Sequence, residues 1–263
     1  MTMGHGTAAL IDGDIVVHRI AAAFDSSAEQ TGFGAYQFDA AGALYSAQMM
    51  VKRIMDSISA DKAVFCLSDR ESNFRKSVMP TYKANRTGRK PIIFTELRHM
   101  MESWGELEIR VKPGLEADDV MGILATMNTK CLKGYRKVIC SIDKDLRTIP
   151  GELFNWDKHD SFTGPDVISE AEADMAFMVQ ILAGDSTDGY AGCPGVGPVK
   201  ANKILKDAET LEERWQAIVG AYENAGLSSR DAITTARVAR ILRAGEFDGK
   251  TKQPILWNPP EAA

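Results

Sequence analysis

The 263 residues are 44% hydrophobic and 25% charged with a formal net charge of −5, enough for one large domain or two small ones with a full core. The acidic balance excludes a general polyanion binder, so any nucleic-acid surface has to be local. No signal-peptide pattern and no uninterrupted apolar stretch of membrane length is present, and the expectation is a cytoplasmic chain. The four cysteines (Cys66, Cys131, Cys140, Cys193) have no Cys-x-x-Cys spacing. Two of them fall in apolar runs, which points to buried thiols rather than disulfides or zinc ligands.

Residues 7–11 form a short apolar run ending in Asp12-Gly13, the pattern of a buried strand and a turn. Residues 32–42 read as a loop. Residues 43–58 carry apolar side chains at helical spacing, and 62–68 form a second buried-type strand ending at Asp69. A helix is predicted over 95–104 and a strand over 107–111. Val120, Met121, Ile123, Leu124 and Met127 then predict a helix opening at Glu116. Residues 137–142 give another strand, ending in Asp143-Lys144-Asp145, and Pro150-Gly151 turns the chain into a strand over 153–156. A helix follows over 170–183. Residues 211–263 show helical patterning without recognisable chemistry, and segments 251–254 and 258–260 read as a fraying end.

Alternating strands and helices predict an α/β fold, a mostly parallel twisted sheet flanked by helices with a helical C-terminal part. In such sheets the ligand site lies beyond the carboxyl ends of the strands. Three strands finish there in an aspartate: Asp12, Asp69 and Asp143. A strand-terminal aspartate alone is most often a turn former. The acids Glu116, Asp118 and Asp119, taken alone, are equally a first turn stabilised by the helix dipole, by roughly 0.3–1 kcal/mol each. Together at one rim they would repel and raise one another's pKa unless cations neutralise them, and hard oxygen-seeking ions such as Mg²⁺ or Mn²⁺ suit that task.

Two further stretches bear on a partner. Residues 70–90 hold seven basic side chains against one acid, with Phe74 and Tyr82 interleaved. That pattern suits backbone tracking and base stacking on a single strand. An isolated charge run would be a solvated loop, but this one begins beside a candidate metal ligand. Residues 184–203 pair Asp185 and Asp188 with a glycine-rich turn (Gly192, Gly195, Val196, Gly197) before Pro198, Lys200 and Lys203. Such a turn lets backbone N–H groups approach an anion. It lacks the Gly-Lys-Ser/Thr of a nucleotide loop and fits a grip on duplex phosphates.

Asp12-Gly13 with Arg19, Ser68-Asp69 leading into Phe74-Arg75, Tyr82 to Arg86, Glu116 to Asp119, Ser141 to Leu146, and Gly184-Asp185-x-x-Asp188 before Gly192 to Gly197 follow one another in this order. The series resembles the 5′-nuclease family: phage 5′-exonucleases, the 5′-nuclease domain of bacterial DNA polymerase I, and flap endonucleases. The resemblance implies two divalent ions, Mg²⁺ or Mn²⁺. Asp12, Asp69, Glu116 and Asp118 would serve mainly the first, and Asp119, Asp143, Asp145, Asp185 and Asp188 mainly the second. It further implies a basic arch over 70–91, with Lys83 and Arg86 at the scissile phosphate and Arg19, Phe74, Arg75, Lys76 and Tyr82 on DNA. A helix–three-turn–helix element over 184–206, able to hold K⁺, would grip duplex through its glycines, Val196, Lys200 and Lys203.

The expected organisation is a nuclease core over 1–168 and a helical region over 169–263. The expected protein is a monomer acting on 5′ ends, flaps or branches of DNA in replication, repair or primer removal, alongside replication proteins. Two rivals are a nuclease for the RNA of RNA–DNA hybrids and a non-catalytic branched-DNA binder. Asp14 and His18 depart from the family pattern.

Overall fold

The computed structural model describes residues 6–29, 39–128 and 132–260. Six strands form the central sheet: β1 (Thr7–Asp12), β2 (Ala60–Cys66), β3 (Leu107–Arg110), β4 (Arg136–Cys140), β5 (Gly151–Phe154) and β6 (Asp166–Ile168). Their order is β3-β2-β1-β4-β5-β6, parallel throughout except for the β5–β6 pair. All six residues of β1 are buried, as an apolar run without alternation requires when both faces of a parallel sheet are covered. Ala9 and Ile11 face a core made with α1 (Gly13–Glu29), α2 (Ala40–Ser57) and a helix over Phe94–Glu102. Ala8 and Leu10 face the opposite core, beneath a helix over Ala117–Thr126. In chain order these last two helices are α4 and α5, since a one-and-a-half-turn α3 (Phe74–Val78) precedes them.

The register sets the site. Asp12 lies opposite Cys66, and Ile11 opposite Cys140, so the acids that follow β1, β2 and β4 leave the sheet at one edge. Asp12 does more than turn the chain: its carboxylate accepts the Ile15 N–H at 3.1 Å and so starts α1, a helix the sequence reading left as a turn. Gly13 is required there, because a Cβ would stand 2.6 Å from the Phe65 ring and 2.8 Å from the Cys66 carbonyl.

A third core gathers α6 (Glu170–Ala183), α7 (Pro198–Leu205), α8 (Leu211–Asn224) and α9 (Ser229–Ala239) around Phe177, Ile181, Trp215 and Tyr222. Capping boxes open three of these helices, Ser169 with Glu172, Thr210 with Glu213 and Ser228 with Asp231. A two-stranded turn, β7 (Gly184–Asp185) with β8 (Tyr190–Ala191), links α6 to α7. The expected fraying end is corrected. A small hairpin, β9 (Phe247–Asp248) and β10 (Gln253–Pro254), leads to Trp257. The Trp257 ring packs 5.5 Å from Phe177 and 5.3 Å from Trp215, and Arg237 holds its carbonyl at 3.1 Å. Aromatic burial ties the segment down where its polarity suggested none.

Most of the expected 32–42 loop lies outside the described residues, as does Cys131; its last residues open α2, capped by Asp39 on the Gly42 N–H at 2.8 Å. Cys66, Cys140 and Cys193 are buried free thiols, as expected. Among the described residues no helix is long and apolar enough to cross a membrane.

Candidate active site

At the carboxyl edge of the sheet a cavity is lined by Asp12, Asp14, Glu116, Asp118, Asp143, Asp145 and Asp188, facing Lys83 and Arg86. Asp12, only 2% exposed, accepts from the Ser141 hydroxyl at 2.8 Å. Burial, and then the neighbouring Asp14 charge, nevertheless push its carboxyl up to about 7. Asp145 is raised to about 7 by burial and then by Asp143 and Asp185. Burial followed by Asp12 and Asp143 drives Asp118 well above the usual carboxylate range. These three acids are crowded and short of positive charge.

Glu116 is the exception. It caps α5, and burial alone would raise it, but Arg75 and then Lys83 outweigh burial and hold it at about 2. The Lys83 ammonium sits 2.5 Å from Glu116 and 3.5 Å from Asp188. The Tyr82 hydroxyl lies 2.8 Å from Glu116 and 2.9 Å from Asp188, and Arg86 pairs with Asp188. The basic loop docks on the turn that carries Asp185 and Asp188. The Lys83 N–H donates to the Asp188 carbonyl at 2.7 Å, and the Asn85 amide to the Ser186 carbonyl at 2.7 Å. Lys83 holds a left-handed φ of 55°, a conformation that costs a non-glycine residue energy and that the docking contacts maintain. Gly189, with φ 74°, keeps the approach open: a Cβ there would stand 2.9 Å from the Asn85 side-chain Oδ1.

Asp143 caps the 3-10 turn Lys144–Thr148 by accepting the Asp145 N–H at 2.8 Å. Asp185, which accepts the Thr187 N–H at 2.7 Å, stands outside the cavity lining but close enough to Asp145 to raise it. Asp69 holds loops together, accepting from the Gly114 N–H at 2.7 Å and the Ser72 hydroxyl at 2.8 Å, and it lines a neighbouring cleft with Arg19 and Lys90.

The other expected site residues stand as follows. Asp119 is fully buried; both its oxygens accept from Arg75, and it also takes the Leu242 and Glu116 N–H groups at 3.1 Å. These contacts tie the first turn of α5 to Arg75 and Leu242. Phe74, Arg75 and Tyr82 were expected on DNA but are 9%, 2% and 2% exposed, enclosed by the contacts just given. Gly192 is needed for the close approach of the hairpin to α6, where a Cβ would stand 2.2 Å from the Leu182 carbonyl, and Val196 is buried. Lys76, Lys200, Lys203, Gly195 and Gly197 are exposed, and Arg19 is half-exposed in a pair with Asp157 at 2.7 Å. Ser141, Asn85 and Arg98 were missed. Arg98 donates to the Ser68 carbonyl at 2.7 Å and pairs with Asp14 at 3.4 Å; within a helical pattern nothing distinguishes such a residue.

Hard divalent cations fit the donor chemistry, since the lining oxygens are carboxylates whose repulsion a cation would relieve. Among the described residues no three acids already meet as a cage; Glu116, Asp119 and Asp188 are paired with Lys83, Arg75 and Arg86.

A carboxylate-lined cavity under a lysine and an arginine, at the carboxyl edge of a sheet covered on both faces, has the make-up of a phosphodiester hydrolase. Residues 7–172 match the family model described as 5′-3′ exonuclease, N-terminal resolvase-like domain, and the chain belongs to this family of 5′-nucleases. It is 32% identical to the exonuclease of Escherichia phage T7 over 218 residues, 71% of each chain. It is 26% identical to the flap endonuclease Xni of Klebsiella pneumoniae over 208 residues, 73% of this chain and 80% of that one. Its fold matches the phage T5 flap endonuclease, solved as a pseudo-enzyme-product complex with DNA and metal ions, at a TM-score of 0.62. That match has 14% identity and covers 89% of this chain and 93% of the other.

Proposed function

We propose that this chain is a divalent-metal-dependent nuclease that hydrolyses DNA phosphodiesters at 5′ ends or 5′ flaps, acting as a monomer in replication, repair or primer removal. The observation that carries this reading is the cavity itself: seven carboxylates, three of them pushed well above their ordinary range, facing the Lys83 and Arg86 side chains. Asp12, Glu116, Asp118, Asp143, Asp145 and Asp188, with Asp185 beside them, would hold Mg²⁺ or Mn²⁺. Bound there, the metal would lower the pKa of the attacking water and relieve charge on the phosphate.

The remaining work falls to side chains. Lys83 and Arg86, now paired with Glu116 and Asp188, would turn to the scissile phosphate and stabilise the charge that develops on it. Ser141 and the Ile15 N–H hold Asp12 in place. Exposed Gly195 and Gly197 before α7, and Lys200 and Lys203 along it, support the helix–three-turn–helix reading of 184–206, a grip on duplex phosphates with K⁺ as an accessory ion. In the same reading 1–168 is the nuclease core, 70–91 its strand gateway and 169–263 the helical region.

The test is a 5′-flap DNA labelled at its 3′ end, incubated with Mg²⁺ and again with EDTA. A discrete product at the junction, lost in EDTA, is expected for flap incision, and an inward ladder for exonucleolytic trimming. DNA retarded on a gel but uncut in Mg²⁺ and again in Mn²⁺ would sink the proposal.

A further inference from the structure

The turn that carries Asp185 and Asp188 presents three successive backbone carbonyls to the basic loop, and the loop meets each of them. The Asn85 side-chain amide donates to the Ser186 carbonyl at 2.7 Å, the Arg86 Nε to that of Thr187 at 3.4 Å, and the Lys83 N–H to that of Asp188 at 2.7 Å. Asp185 keeps the turn in shape, its carboxylate accepting the Thr187 and Asp188 N–H groups at 2.7 and 3.3 Å. Two of the loop contacts bracket residues 83–85. At the first, the Lys83 backbone takes its left-handed φ of 55°, a conformation that a Cβ disfavours. Two residues on, the Asn85 amide closes the bracket, with its Oδ1 packed close over Gly189. A single anchor leaves a short segment free to rotate, and a second one fixes it. The Lys83 ammonium leaves from this bracket to reach Glu116 and Asp188. Asn85 itself is exposed and stands outside the lining of the acid cavity. A neutral amide suits the second anchor, because carboxylate and phosphate do not draw it away as they would a lysine or arginine.

We propose that Asn85 is a positioning residue of the nuclease, whose hydrogen bond to Ser186 holds the Lys83 backbone in the conformation that aims the ammonium into the acid cavity. The inference rests on the reading above in which Lys83 serves the scissile phosphate. Asn85 acts through Lys83 rather than on DNA, so its contribution exists only while Lys83 is present.

The test is a double-mutant cycle over Asn85→Ala and Lys83→Ala, read by single-turnover cleavage of a 5′-flap DNA at saturating enzyme. Asn85→Ala alone is expected to cut about five-fold more slowly, the equilibrium shift of one hydrogen bond. Its retardation of the DNA and its Tm should match wild type. In the Lys83→Ala background the same change should slow cleavage no further. Undocking is read without DNA or metal: in EDTA, trypsin should nick Asn85→Ala within residues 83–90 about five-fold faster than wild type, following the population of the open loop. Cleavage or nicking of Asn85→Ala at the wild-type rate would overturn this inference alone. So would a loss that multiplies with that of Lys83→Ala, which would mean that Asn85 acts on DNA by itself. A Lys83→Ala enzyme as fast as wild type would overturn the role of Lys83 together with it.

Discussion

Arg75 donates to both oxygens of Asp119, at 2.6 and 2.7 Å, in a pair that is 2% and 0% exposed. The same guanidinium reaches the Val238 carbonyl at 2.8 Å and the Arg240 carbonyl at 2.7 Å, while Asp119 accepts the Leu242 N–H. One ion pair therefore fastens α3, the first turn of α5 and the chain leaving α9. Arg75→Met strands a buried carboxylate and is expected to cost roughly 3–5 kcal/mol in urea unfolding. Arg75→Lys should recover little of it, because an ammonium cannot make the forked contact. A loss below about 1 kcal/mol in Arg75→Met would show that the pair does not hold these elements together.

Asp143 raises Asp12, Asp118 and Asp145. Asp143→Asn should abolish cleavage of a 5′-flap DNA while gel retardation persists, and its melting temperature in EDTA should rise because a repulsive charge is gone. Wild-type turnover in this variant would contradict the role given to the acid cavity.

Lys83→Ala removes the ammonium that bridges Glu116 and Asp188. Single-turnover cleavage should fall on the order of 10²–10³-fold, the range for losing a preorganised charge at a reacting oxygen. A rate unchanged under saturating enzyme would remove Lys83 from the chemistry.

The pH response of the metal-free protein follows from the same charges. Asp12 and Asp145 have folded values of about 7 against an ordinary 3.8. Between those values the folded state binds more protons than the unfolded one, so stability falls as pH rises through the window. Glu116, held at about 2 against 4.5, contributes the opposite way: its stabilisation is present above its unfolded value and is lost as pH falls through about 2. Thermal melts in EDTA should therefore decline from pH 5 to 7.5, and added Mn²⁺ should raise the melting temperature more at pH 7.5 than at pH 5.

Gly122 sits inside α5, where alanine is normally favoured by about 1 kcal/mol. Here a Cβ would stand 2.4 Å from the Leu242 carbonyl and 3.0 Å from Ile149, so Gly122→Ala is expected to destabilise by roughly 1–3 kcal/mol in denaturant titration. Gly197→Ala, with nothing within 4 Å, serves as the neutral comparison.

The sheet and its rim of acids were legible because their signals are local: an apolar run and the residue that ends it. The bounds of α6 were legible for the same reason, with Ser169 and Glu172 at one end and Gly184 at the other. Asp118 and Asp119 show where such reading stops. They are neighbours in sequence, but the rotation of one helical residue sends the first to the cavity and the second to Arg75. That partner, like the carbonyls of Val238 and Arg240, is distant along the chain and leaves no local mark. The burial of Phe74, Arg75 and Tyr82 was not legible, because composition records charge and aromaticity without recording which side faces inward. Trp257 was overlooked because the prolines and polar residues around it mask a single large ring.

The fastening of α5 by residues 238–242 also sets an order in time. Ala239 and Ile241 themselves line the acid cavity, and Leu242 completes the coordination of Asp119. A chain emerging from the ribosome carries every acid of the site by residue 188, yet the cavity wall and the clamp on α5 wait for another fifty residues of synthesis. Cutting activity thus waits until residue 242 has been made, and a product truncated before α9 ends would carry the acids without the enclosure that sets their charge.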